Sequence, residues 1–240
     1  MKTLTKGSFL LLACLSSMVA VRAQTADEVV NKYIDALGGK AVLSSVKTLY
    51  VEASVEVMGT ELSSIISVVS GKGYKNESDF NGTKITQVVT DKGGWSFNPM
   101  VGQTAPAALT DEQVKAAQPQ LQIGGALVDY AGKGYKVELI GKDTAMGGEY
   151  KIKLTGPTGL EATYYINAKT YLMDKEVDKV SAQGQEVEVT NTYSDYKKTD
   201  VGFMVPGTRQ VVVPQYTLNI TAKKIEVNKT IDPAIFDMPK

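Results

Sequence analysis

From Thr48 onward the chain is written in short runs in which apolar and polar residues alternate, separated by glycine-bearing turns. In the first run, Leu49, Val51, Ala53, Val55 and Val57 share one face, and Thr48, Tyr50, Glu52, Ser54 and Glu56 share the other. That period of two belongs to a strand with one side buried. Gly59-Thr60 leads into a second strand over 61–70, and strands at 74–80, 84–90 and 94–98 follow, divided by Gly71 and Gly73, Asn81-Gly82, and Gly93-Gly94. Asn-Gly between alternating runs signals a hairpin, because both residues tolerate the positive φ of a tight turn. Five strands so joined predict an antiparallel meander. Strands resume at 135–141, 149–155, 160–167, 171–179, 185–197, 203–213 and 216–227, with turns at Gly147-Gly148, 156–159, Gly184 and Val213-Pro214. A sheet of about twelve strands must curl or close, since open twisted sheets rarely exceed about ten.

Residues 105–131 interrupt this rhythm. Leu109, Val114, Leu121, Ile123 and Leu127 recur at near-helical intervals, and Pro106 and Pro119 punctuate the stretch. Thr110-Asp111-Glu112 predicts a helix start, Pro119 its end, and 120–130 a second helix stopped by Gly132 and Gly134. An insertion between two halves of one sheet either covers the open face or lies outside it. Pro119 and Gly124-Gly125 would make such a cover jointed. Another helix precedes the first strand: Thr25 and Glu28 form a capping box, Val29, Val30, Tyr33, Ile34 and Leu37 share a face, and Gly38-Gly39 ends it. With no repeat or linker, residues 24–240 read as one domain.

Residues 1–23 read as a secretory signal peptide, with Lys2 and Lys6 before an apolar run over 9–21 and cleavage after Ala23. In a second reading, Cys14 is the lipidated residue of an anchored lipoprotein. Under the first reading the leader takes Lys2, Lys6 and Arg22 and no acid, so 26 basic and 26 acidic residues become 23 and 26, a net charge of −3. Arg209 is then the one arginine left, and a nucleic-acid partner is not expected. Histidine is absent and Cys14 is the single cysteine. Disulfide frameworks, thiolate nucleophiles, Cys/His metal sites and Ser-His-Asp triads are thereby excluded from the exported chain. No cofactor, metal or catalytic residue is assigned. The acid pairs Asp174/Glu176 and Asp195/Asp200 leave a carboxylate-based hydrolase as a minor alternative.

Five ordered segments resemble the LolA/LolB-like superfamily of bacterial periplasmic lipoprotein carriers, which sort outer-membrane lipoproteins. They are Tyr33-Ile-Asp-Ala-Leu-Gly-Gly39; Trp95-Ser-Phe-Asn-Pro99; Tyr164-Tyr-Ile-Asn-Ala-Lys-Thr-Tyr-Leu172; Asn191-Thr-Tyr-Ser-Asp-Tyr196 with Val205-Pro206; and Ile225-Glu-Val-Asn228 with Ile231-Asp-Pro-Ala-Ile-Phe236. The resemblance implies a mainly β fold: an unclosed, strongly curved antiparallel barrel of about 11–12 strands, with an N-terminal helix and a helical lid over 105–131, holding acyl chains on its concave face. It implies a non-enzymatic periplasmic monomer whose partners are a lipid or lipoprotein acyl chain and envelope membrane proteins. The candidate lining residues are Val51, Val55, Trp95, Phe97, Leu121, Leu127, Tyr164, Tyr193 and Met204, each of which ordinary core packing would also explain. Best-known carriers control release through a basic residue near the cavity, and Arg209, on a late strand, has no matching position. The alternative is an envelope scaffolding module whose barrel is filled by side chains. A 16-carbon chain offers roughly 12 kcal/mol gross on burial, so a carrier needs several hundred Å³ of covered apolar space.

Overall fold

The alternating runs pair as one antiparallel sheet. The computed structural model describes residues 24–143, 148–156, 159–182 and 185–239; the leader with Cys14 and the turn residues Gly147, Pro157, Thr158 and Gly184 lie outside them. Strands β1 (Thr48–Val57), β2 (Thr60–Val69), β3 (Gly73–Phe80), β4 (Thr83–Thr90) and β5 (Gly93–Phe97) form the meander. After the insertion come β7 (Lys136–Asp143), β8 (Glu149–Thr155), β9 (Glu161–Asn167), β10 (Met173–Ala182), β11 (Gln185–Ser194), β14 (Thr208–Val213) and β15 (Tyr216–Val227). The insertion itself contributes β6 (Ala107–Ala108), and β12 (Lys197–Lys198) pairs with β13 (Met204–Val205) as a separate ribbon. The thirteen-stranded order is β6-β5-β4-β3-β2-β1-β15-β14-β11-β10-β9-β8-β7, with β6 and β7 as unpaired edges, so the sheet is not closed. The first and last long strands meet in its middle, where β15 shifts register against β1 between Glu52 and Ala53.

Two strand predictions split. The run 185–197 ends at Ser194, because Asp195 takes a left-handed φ of 52° and turns the chain out of the sheet. The run 203–213 divides into β13 and β14 around Pro206, which has no N–H for a ladder.

The insertion differs more. Its first part pairs as the edge strand β6 against β5. The predicted first helix is α3 (Asp111–Ala117), capped by Thr110, and Gln118–Leu121 continues it as a 3-10 turn. The predicted second helix over 120–130 is absent; residues 122–130 are turns. Gly124 and Gly125 lie at φ 90° and 85°, and Asp129 at 52°, and left-handed residues so close together cannot propagate an α-helix.

Helix α1 (Ala26–Ala36) has the expected capping box, with Glu28 and Thr25 each accepting from the other's backbone N–H. Its buried face (Val29, Val30, Tyr33, Ile34) joins Ile152 and Leu154 of β8, Ile166 of β9 and Leu127 of the insertion in the largest core cluster. The short helix α2 (Gly39–Ser45) adds Leu43. Helix α1 therefore fills the concave side of one half of the sheet, over β8 and β9, and leaves the other half to be covered differently.

Candidate ligand-binding site

Strand register decides which side chains face inward over the uncovered half. Val51 of β1 lies opposite Ile66 of β2 and Ile225 of β15, and Ala53 lies opposite Ser64 and Ala222. The floor is therefore apolar and, at Ser64-Ala53-Ala222, built from small side chains. Above it is a cavity of about 290 Å³. Val68 and Tyr74 extend its floor, Tyr164, Glu176, Tyr193 and Arg209 form a wall, and residues 203–207 close one side. The roof is the turn stretch of the insertion, Gln122 to Ala126, with Tyr33 and Leu37 beside it. A larger groove of about 590 Å³ beside Lys198 and Lys223 is lined mostly by charged residues and is not under the roof.

Hydrogen bonds tie the roof down. The Tyr33 hydroxyl donates to the Gly124 carbonyl at 3.2 Å, the Gly71 N–H to the Leu121 carbonyl at 2.8 Å, and the Tyr130 hydroxyl to the Asp27 carboxylate. The Met204 N–H reaches the Leu37 carbonyl at 3.0 Å, fixing the β12–β13 ribbon to the end of α1. Burial raises the Tyr33 phenol well above its ordinary range, so at neutral pH it is a donor.

Of the nine residues named from sequence, Val51, Tyr164, Tyr193 and Met204 line the cavity. Val55 is buried further along β1, outside the cavity wall. Trp95 and Phe97 share a face, but it is the opposite one. Trp95 stands across from Val88 and packs with Phe236, whose carbonyl accepts its indole N–H at 2.9 Å, whereas Val89, one residue along β4, packs with Tyr74 and Leu121. Leu121 joins Val89 and Ala117, and Leu127 sits in the core under α1. None of these five lines the cavity in this arrangement.

Four polar residues not singled out as ligand-binding stand on or behind the wall. Strand β10 turns Glu176 and Asp178 inward, opposite Tyr164 and Ala162 of β9 and Asn191 and Val189 of β11. The Tyr193 hydroxyl donates to Glu176 Oε2 at 2.6 Å, and Asn191 Nδ2 to Asp178 Oδ2 at 3.2 Å. Arg209, opposite Tyr193, donates from Nε (3.1 Å) and Nη2 (2.7 Å) to Asn191 Oδ1. Burial, and then the Glu176 charge beside it, push the Asp178 carboxyl up to about 7, with Arg209 opposing. Arg209 itself borders the cavity, because register with Tyr193 and Ile220 turns it inward. Of the two acid pairs considered, Asp174 accepts from Asn167 Nδ2 at 2.8 Å near the β9–β10 turn, and Asp195 and Asp200 are exposed beside the ribbon. Among the described residues no three acidic, histidine or cysteine side chains gather as a metal site.

No family model matches this chain, and no curated protein matches it in sequence. Solved structures do. A LolA superfamily protein from Nitrosomonas europaea superposes with a TM-score of 0.61 at 14% identity, covering 90% of this chain and 98% of that one. A putative outer membrane lipoprotein-sorting protein domain from Vibrio parahaemolyticus gives 0.60 at 12%, covering 88% and 97%. A DUF1329 family protein from Desulfovibrio piger gives 0.54 at 13%, covering 90% and 98%. With the open, one-sided sheet, these likenesses show that the chain has the fold of the LolA superfamily.

Proposed function

We propose that this protein is a non-enzymatic carrier, exported to the periplasm, that holds a lipid or lipoprotein acyl chain between the concave sheet and the 105–131 insertion. The observation that carries this reading is the half-open, mostly apolar cavity of about 290 Å³ under the insertion in a LolA-like fold. If a methylene occupies about the volume of a water, roughly 30 Å³, that space takes on the order of ten methylenes. At about 0.8 kcal/mol each, they provide roughly 8 kcal/mol gross, which lies above the lower end of the association cost of about 4–15 kcal/mol. A 16-carbon chain would leave part of its length outside or widen the roof.

A second reading has an observation in its favour. The half of the concave face under α1 is solid core, as an envelope scaffolding module would have throughout. The two are separated by native purification of residues 24–240, solvent extraction and mass spectrometry, with titration of a fluorescent fatty acid. Co-purifying lipid and saturable binding are expected. A protein that carries no lipid and does not bind the probe refutes the carrier.

A further inference from the structure

We infer that Arg209 is the anchor for an uncharged acyl carbonyl, so that the cavity takes an ester- or amide-linked acyl group with its carbonyl oxygen bonded to the guanidinium. The inference rests on the container reading above and specifies its ligand. Arginine carries five N–H donors. Two of them go to Asn191 Oδ1, and no carboxylate forms a salt bridge with Arg209 among the described residues. The other three N–H groups have no described protein partner, and the side chain lines the cavity. Arg209 is half-buried, and its unpaired N–H groups are open rather than sealed in protein, so they are available to a ligand in the cavity. Asn191, 2% exposed, holds the guanidinium in place, and Asp178 holds Asn191 from the other side. The fork is thus fixed while its free donors border a mostly apolar space that Glu176, Gln120 and Gln122 also line.

Charge decides which oxygen it takes. The titratable groups around Arg209 are Glu176 and Asp178 on β10, Tyr193 on β11 and Tyr74 on β3. Glu176 lines the same cavity and already balances the arginine, so a ligand carboxylate would bring an excess negative charge into a low-dielectric site. An ester or amide oxygen accepts from the free donors and adds no charge. A free fatty acid would enter this cluster with its proton, and would therefore bind more weakly as pH rises.

The test uses delipidated residues 24–240 and the uncharged probe N-phenyl-1-naphthylamine, displaced by methyl dodecanoate, dodecanoic acid or dodecane. Arg209→Met keeps much of the stem and removes every donor. It is expected to weaken methyl dodecanoate by about tenfold or more, as loss of a charged donor does, and to leave dodecane within about twofold. In the wild type, the carbonyl stretch of ¹³C-labelled methyl dodecanoate should fall in frequency on binding; this readout stands even if the variant does not fold. An unshifted carbonyl, or equal ester affinity in Arg209→Met, overturns the anchor. Dodecanoate binding more tightly at pH 8 than at pH 6 overturns the preference for an uncharged head. Failure of the wild type to bind the probe or any of the three ligands refutes the container itself, a different outcome.

Discussion

Filling the cavity from its floor should separate a container from a loosely drawn core by the sign of the stability change. Ala53 faces inward on β1, 5% exposed, between Ser64 and Ala222, where the floor is lowest. Ala53→Phe adds six carbons, roughly 180 Å³ at about 30 Å³ each, against the cavity's 290 Å³. The ring fits, and an aromatic suits a strand. The remaining space takes three or four methylenes, so gross binding falls from about 8 to about 3 kcal/mol, less than the cost of association. The buried ring should meanwhile raise the stability of the delipidated protein by about 1.5–3 kcal/mol. In a domain of this size that lifts Tm by roughly 2–4 °C per kcal/mol. Calorimetry and fatty-acid titration on the same preparation measure both quantities. If the space were packed core, the substitution would cost about 1–3 kcal/mol by overpacking. A lower Tm with ligand binding intact would refute the reasoning.

Three further substitutions probe the roof, the wall and the outer face. Gly124→Ala puts a Cβ 2.9 Å from Val128 Cγ2 and 3.1 Å from Leu43 Cδ2 at a φ of 90°, so it should loosen the roof and speed ligand release several-fold, seen in stopped-flow displacement. Gly125→Ala meets open space and carries only the roughly 1–2 kcal/mol of a left-handed residue, so its effect on release should be smaller. Asp178, ordinarily near 3.9, titrates at about 7 when folded, so between those values the native state binds the extra proton and stability falls as pH rises. Asp178→Asn should remove that slope, and urea midpoints at pH 5 and pH 8 should differ less in the variant than in the wild type. Trp95→Phe removes the donor to the Phe236 carbonyl and should cost about 1–2 kcal/mol in urea unfolding while leaving ligand affinity within about twofold, because it acts on the outer face.

Strand β1 was legible because its alternation is strict: apolar residues mark one face and polar residues the other, and a single parity choice sets the face on which Val51 lines the cavity. Trp95 shows the limit of that logic. The segment Gly94-Trp95-Ser96-Phe97 names the face that carries the aromatics but not the side of the sheet that it occupies. The distant tail with Phe236 covers the outer side, so the aromatics face away from the cavity. The polar wall was hidden for a related reason. On β10, Glu176 and Asp178 alternate with Lys175, Val177 and Lys179, so neither face reads as inside; only pairing with Tyr164 and Asn191 does. Arg209 stands between Thr208 and Gln210, equally uninformative, and its direction follows from partners 16 and 11 residues away, Tyr193 and Ile220. In the insertion, the spacing of Leu121, Ile123 and Leu127 satisfies a helical period. The consecutive glycines were readable as hinges, but local spacing could not show that both would take left-handed φ and replace the helix with turns.

The division of the concave face explains how a domain tolerates so large a void. Cavities sealed in protein cores cost about 24 cal/mol per Å³, so for this half-open space of 290 Å³ the packing forgone has an upper bound of roughly 7 kcal/mol. Whole domains are stable by only about 5–15 kcal/mol. Such a space does not arise as a harmless imperfection; it requires a well-packed remainder. That remainder is the half under α1, where Val29, Ile152, Leu154, Ile166 and Leu127 are fully buried. Tyr33 stands at the boundary, its ring in that core and its hydroxyl on the Gly124 carbonyl of the roof. Ile123 and Ala126 of the roof pack in the same cluster, so core and cover are continuous there, and a ligand that binds only the folded form would recover through occupancy part of the stability that the void withholds.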